Sequence, residues 1–283
     1  MTSGAVVFAG GGLAGIAWEI GVLCGIQEKE PKAFEAIVDA STMFVGTSAG
    51  SAVAAQVAGG TPLPELFDAQ LSAETTEISA NMDLEEFMAA MTNAVVDAHS
   101  PEEVRRRIGR VALEANTVPT ADRLAAIDAR LPVKSWSDRR LLITAVDAES
   151  GEFRSFDRDS GVDLVDAVAA SCAVPGIWPL VLIDGRKYMD GGMRTLANAD
   201  LAAGADRVLL LVPSPADAPA QFAIPQSELD ALAPSRIHIV YADAASVAAF
   251  GSNPLDPDVR RPAALAGLEL GRSVAAQVAA FWG

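Results

Sequence analysis

Short apolar runs joined by small-residue turns open the chain. Ala5–Ala9 is an unbroken apolar stretch of strand length, and Gly10-Gly11-Gly12-Leu13-Ala14-Gly15 follows it directly. Behind that loop Ile16, Trp18, Ile20, Val22, Leu23 and Ile26 are spaced for a buried helix, so the first unit reads as strand, glycine loop and helix. A second apolar run, Met43–Val45, leads into Gly46-Thr47-Ser48-Ala49-Gly50 and then into the small, mostly apolar helix of residues 51–57. From Thr61 the strand pattern stops. Residues 61–135 read as a helical cap inserted after that helix, with amphipathic segments at roughly 63–72, 83–98, 101–115 and 120–131. Arg105, Arg106, Arg107 and Arg110 read as a solvated face of the third segment.

Strand signals return at Arg140–Asp147 and Glu152–Phe156, joined by a turn at Glu149–Gly151. A helix over 164–173 ends in Ser171-Cys-Ala-Val-Pro-Gly-Ile-Trp-Pro179. Val181–Ile183 and Lys187–Met189 then flank Asp184-Gly185, a strong hairpin turn, and the second strand runs into Asp190-Gly191-Gly192. Arg207–Val212 and Arg236–Tyr241 are further strands, with a loose surface loop over 213–225 between them. The last helix, 263–282, carries Leu265, Leu268, Val274, Val278 and Phe281 on one side, the side expected to meet the sheet. Strands alternating with helices predict an α/β protein, with a mostly parallel central sheet covered on both faces, in one domain spanning residues 1–283.

Charge narrows the partners. With 21 basic against 37 acidic residues the net charge is −16, which argues against nucleic acid and against electrostatic docking on anionic membranes. Any membrane contact would be transient, hydrophobic and made through the cap. Cys24 and Cys172 lie in apolar helical contexts and read as core residues. His99 and His238 are too few for most histidine-based zinc sites. The N-terminus has no basic region ahead of its apolar run, and no apolar stretch reaches spanning length, so a soluble, cytoplasmic protein is expected.

The candidate chemistry centres on Ser48. A serine on a tight strand-to-helix turn needs small neighbours two residues before and after, which Gly46 and Gly50 supply, and the turn lifts its hydroxyl to a helix N-terminus. The loop Gly10-Gly11-Gly12 with Gly15 exposes backbone N–H groups to an anion or oxyanion. It also fits a dinucleotide-binding pattern, but the acid that should end the second strand is replaced by Gly-Thr-Ser. A nucleophilic serine needs a base. His238 falls in mid-strand and His99 follows a cap helix, so a carboxylate remains, and Asp190 has a strand-end setting backed by Gly191 and Gly192. The same Asp-Gly-Gly also reads as an ordinary turn.

In chain order, Gly10-Gly11-Gly12 with Gly15, Gly46-x-Ser48-x-Gly50 and Asp190-Gly191-Gly192 resemble the patatin-like phospholipase family, as does the stretch from Ala170 to Pro179; the resemblance runs from about Gly4 to Asp200. It implies a three-layer α/β/α fold and a Ser48/Asp190 dyad without histidine. The oxyanion hole would lie in Gly10–Gly12, chiefly the N–H groups of Gly11 and Gly12, with Gly15, Gly46, Gly50, Gly191 and Gly192 in support. The implied activity is hydrolysis of lipid acyl esters through an acyl-enzyme, requiring neither metal nor cofactor. One departure stands out. The family's loop usually carries Arg or Lys just before its last glycine, and here that position is Ala14, which favours ester cleavage over phospholipid specificity. Arg186, Lys187 or Arg194 could supply the cation only if the fold brings them round. Acyl transfer and a non-catalytic lipid-binding or regulatory module are the alternatives; the first expects a histidine base and the second has no use for Ser48 and Asp190.

Overall fold

The computed structural model describes residues 4–80, 84–220 and 223–283, without the side chains of 84–88. The elements begin with β1 (Gly4–Phe8), α1 (Gly12–Lys29), α2 (Pro31–Ile37), β2 (Met43–Gly46) and α3 (Ala49–Ala58). Four helices follow, α4 (Leu63–Leu71), α5 (Leu84–Val95), α6 (Pro101–Glu114) and α7 (Thr120–Arg130). The chain returns to the sheet with β3 (Leu141–Asp147) and β4 (Phe153–Phe156), then α8 (Leu164–Ser171), β5 (Val181–Ile183) and β6 (Arg186–Asp190). It ends with β7 (Arg207–Val212), α9 (Gln226–Ala231), β8 (Arg236–Tyr241), α10 (Ala244–Phe250) and α11 (Arg260–Trp282).

The sheet runs β5-β6-β3-β2-β1-β7-β8, with β4 also paired to β3. β3, β2, β1, β7 and β8 are mutually parallel, whereas β4 and β6 run antiparallel to β3 and β5 antiparallel to β6. Alternation sorts the side chains of β1: Val6 and Phe8 face a core shared with α1, α3 and α8, while Ala5, Val7 and Ala9 face a thinner layer around Ala199, Ala202 and Leu232. The expected mixed α/β fold with a mostly parallel, helix-flanked sheet is therefore present.

Register sets the site. Gly46 pairs with Ile143 and Asp190 pairs with Ala145, so Asp190 stands two residues beyond Gly46 along their shared neighbour β3. That is the level of Ser48. Phe8 pairs with Gly46 on its other side, which brings the glycine loop after β1 beside the turn after β2.

Two expectations change. α11 turns only part of its expected side inward: Val278 and Phe281 are buried, but Leu265 is 40% exposed, and the rest of the buried face is made by Ala263, Ala264, Gly267, Gly271 and Ala275. The reason is its neighbour α1. A Cβ on Gly271 would lie 2.2 Å from the Val22 carbonyl oxygen, and one on Gly21 would lie 2.2 Å from that of Ala264, so the two backbones meet where only glycine fits. Arg105 is not solvated either. It is buried, donates from Nε to the Gly151 carbonyl at 2.6 Å and pairs with Glu102. The four helices after α3 also divide their work: α4 packs on α1 and α11, α6 brings Ile108 against Val146, Ala148 and Met189, and α7 faces Ser48.

Candidate active site

The turn after β2 holds Ser48 at φ 53° and ψ −120°, a region that costs a residue with a Cβ about 1–3 kcal/mol. Bonds on both sides keep it there. Thr47 N–H donates to Phe8 O (3.1 Å) and Ser48 N–H to Ser171 Oγ (2.9 Å). The Ser48 carbonyl accepts from Ser51 Oγ (2.6 Å) and from the Cys172 thiol (3.2 Å). The flanking glycines are demanded by contact: a Cβ on Gly46 would come within 2.5 Å of Ser51 Cα, and one on Gly50 within 2.2 Å of Phe8 O.

Asp190 ends β6 and is 2% exposed. Its N–H donates to Ala173 O (2.9 Å), so one turn, 171–173, grips the backbone of both Ser48 and Asp190. Oδ1 accepts from Gly192 N–H at 2.7 Å. Oδ2 has no hydrogen-bond partner among the described residues. Burial pushes the Asp190 carboxyl up to about 7, against the opposing pull of the Ser48 hydroxyl, the Gly192 N–H and the Arg123 charge. The Ser48 hydroxyl is thus near enough to act on the carboxyl, while Oδ2 stays unsatisfied among the described residues. Gly191 lies against Thr144, where a Cβ would meet Oγ1 at 2.2 Å.

Asn198 joins the two halves. It is fully buried in a left-handed conformation (φ 50°, ψ 40°), and its Nδ2 lies within hydrogen-bond distance of Thr47 Oγ1 (3.1 Å), Gly191 O (3.2 Å) and Thr195 O (2.9 Å). Thr144 Oγ1 donates to Thr47 Oγ1 at 2.9 Å and completes the network.

The glycine loop separates into different roles. Gly10 N–H is taken by Leu196 O (2.9 Å), so it is not free for an oxyanion, contrary to the expectation for that residue. Ala14 N–H bonds Pro254 O (3.0 Å), and Gly15 N–H bonds Gly11 O (2.9 Å). The N–H groups of Gly11 and Gly12, at the start of α1, have no acceptor among the described residues. Gly12 needs to be glycine twice over: φ is +66°, and a Cβ would lie 2.7 Å from Pro254 O.

Ser48 borders a cavity of about 20 Å³, room for about one water. Its walls include Gly12, Leu13, Ile16, Trp178 and Leu255, with Arg123 and Arg130 from α7. Arg130 forms a two-pronged pair with Glu77, Nε to Oε1 at 2.9 Å and Nη2 to Oε2 at 2.8 Å. Burial alone would raise the Glu77 carboxyl, but the Arg130 charge and hydrogen bond, with the charges of Arg123 and Arg260, together outweigh it and leave the pKa low. The segment carrying Glu77 is fastened on both sides of it, by Arg260 to Ala69 O (3.1 Å) and Ser72 O (2.9 Å) before it and by Asn253 Nδ2 to Ala80 O (3.0 Å) after it. The cations expected from the other side do not arrive. Arg186 pairs with Asp147 and Glu152, Arg194 pairs with Asp200, and Lys187 is exposed on β6. His99 lines a separate pocket of about 420 Å³, and His238 on β8 packs on Phe281 with ring centroids 5.3 Å apart.

A family model described as patatin-like phospholipase matches residues 6–203. No curated protein sequence matches the chain. Among solved structures it resembles VipD from Legionella pneumophila at 11% identity and TM-score 0.44, covering 98% of this chain and 67% of that one. It also resembles the type III effector protein ExoU at 15% identity and TM-score 0.42, covering 98% of this chain and 53% of that one.

Proposed function

Because the chain belongs to the patatin-like phospholipase family, a family of lipid acyl hydrolases, we propose that it cleaves acyl esters with Ser48 as nucleophile and Asp190 as its only base. The observation that carries this reading is the placement of the two residues: a strained serine and a buried carboxylate with one unsatisfied oxygen, held level with each other by a shared turn and by Asn198. A hydrogen bond that closes only when substrate arrives is common in free enzymes.

In the first step Asp190 takes the hydroxyl proton as Ser48 Oγ bonds to the ester carbonyl carbon. The carbonyl oxygen becomes an oxyanion within reach of the Gly11 and Gly12 N–H groups, each such donor being worth about 3 kcal/mol at the transition state. Collapse breaks the bond to the alcohol oxygen, which leaves with the proton from Asp190. Water then attacks the acyl-enzyme, giving one proton to Asp190, and the fatty acid departs as Ser48 regains its hydrogen. A carboxyl near 7 suits this shuttle better than an ordinary aspartate near 3.8, because it both accepts and returns the proton at neutral pH. An acyl chain is far larger than one water, so the cavity widens before the ester binds.

The test is hydrolysis of p-nitrophenyl esters of increasing chain length by wild type, Ser48→Ala, Asp190→Asn and His238→Ala, each checked for folding. Ser48→Ala and Asp190→Asn should lose at least about 10³-fold in kcat, and His238→Ala should lose nothing. Activity retained in Ser48→Ala, or no activity in wild type on any ester, would overturn the reading.

A further inference from the structure

Two arginines on one face of α7, two turns apart, border the cavity over Ser48, and they are not equivalent. Arg130 is spent: Glu77 occupies it from two nitrogens, and Nη1 reaches Cys172 Sγ at 3.8 Å. Arg123 is only 7% exposed, yet among the described residues its guanidinium donates to no acceptor and forms no ion pair, while its backbone N–H bonds Pro119 O. Its guanidinium lies over the Trp178 ring, 3.8 Å from the centroid. A guanidinium stacked by its face keeps its N–H edge for another partner, the geometry in which arginine takes an oxyanion by two parallel bonds. Burial pulls its pKa down to about 10, so it is still a cation at neutral pH. The charges acting on Arg123 are Arg130, which repels it, and Glu77 and Asp190, which attract it without bonding it.

We propose that Arg123 is the anion subsite of the acyl-ester site, and that the substrate carries an oxyanion, phosphate or carboxylate, close to its scissile ester. The proposal rests on the reading of Ser48 given above and deepens it by naming the substrate class. Trp178 holds the guanidinium in place; Arg130, closed by Glu77, does not compete for the anion. The side of the site opposite α7 supplies no cation, since position 14 is alanine and Arg194 is paired with Asp200.

Binding without turnover tests this. The full-length Ser48→Ala protein is titrated calorimetrically with octyl phosphate, octanoate, octyl glucoside and inorganic phosphate, all below micelle-forming concentration, with Arg123 intact, as Arg123→Gln and as Arg123→Lys. With Arg123 intact, one or both anionic amphiphiles should bind at least tenfold more tightly than octyl glucoside. Arg123→Gln should erase that gap while leaving the glucoside affinity unchanged, and Arg123→Lys, which keeps charge but not the two-pronged edge, should retain part of it. Inorganic phosphate binding as tightly as octyl phosphate would mark a free-anion site and overturn the assignment to substrate. A gap that survives in Arg123→Gln, no gap at all, or no binding by any amphiphile would also overturn it; should Arg123→Gln fail to fold, an undiminished gap in Arg123→Lys does so. Because no hydrolysis is measured, the two claims fail separately: an Arg123-dependent gap in a protein inactive on every ester sinks the hydrolase reading alone, and active Ser48 without the gap sinks the subsite alone.

Discussion

Ser48 and Asp190 are both held in states that a free chain avoids, one in backbone conformation and one in protonation. An Asp190 carboxyl near 7 makes kcat/KM rise with pH through about 7, since the base acts only when ionised, and a pH–rate profile on a neutral ester should show that ascending limb. A limb near 4 would contradict it. The same shift has a stability sign. The folded pKa lies above the ordinary 3.8, so the folded state holds its proton longer; stability is complete below about 4 and falls as pH rises through 7. The loss above 7 is on the order of 4 kcal/mol. Asp190→Asn escapes it, and thermal melts should show its advantage over wild type growing from pH 4 to pH 8, by several degrees in Tm. Asn198 is the joint between the two residues. Asn198→Ala should cost about 2–4 kcal/mol in stability and lower kcat by about 10–100-fold, read from melts and ester kinetics together. Local sequence singled out Ser48, Asp190 and their glycines as candidates because each needs small neighbours within two positions. It did not disclose Asn198, Ser171 or Arg123, whose partners lie far along the chain: Thr47 is 151 positions from Asn198, and Ser48 is 123 from Ser171.

Elements hold these residues by close backbone approach more than by bulk. α1, which begins at the glycine loop, is pinned by α11 through Gly21, Gly25, Gly267 and Gly271. Gly271→Ala would drive a methyl to 2.2 Å from Val22 O and force the helices apart. It should cost about 1–3 kcal/mol, measured as a lower denaturation midpoint, and an unchanged midpoint would mean that the helices are less tightly joined than described. The periodic pattern found α11 and its buried Val278 and Phe281 but missed the face that meets α1, because apolar periodicity marks large side chains, whereas that interface is built from residues with almost none. Strands fared better: Arg207–Val212 and Arg236–Tyr241 have the boundaries their apolar runs predict. The short helices α2, α9 and α10 carry too few turns for a periodic signal, and α9 follows directly on the segment read as a loose loop.

At the scale of the molecule, the parallel strands β1 and β2 and the antiparallel β6 deliver three loops to one end of the sheet, and α7 closes over them. Ligand sites in such sheets gather beyond the carboxyl ends of the strands. The register on β3 sets Ser48 and Asp190 level with each other, both within the residues that match the family. Among the described residues no helix is long and apolar enough to cross a membrane. The central claim is that this end of the sheet is one active site with Ser48 at its centre, and a fluorophosphonate probe tests it without any choice of substrate. Intact-mass and peptide analysis should find a single adduct per chain, on Ser48, absent from Ser48→Ala. An adduct on another residue, or none on the folded wild-type protein, would contradict the account.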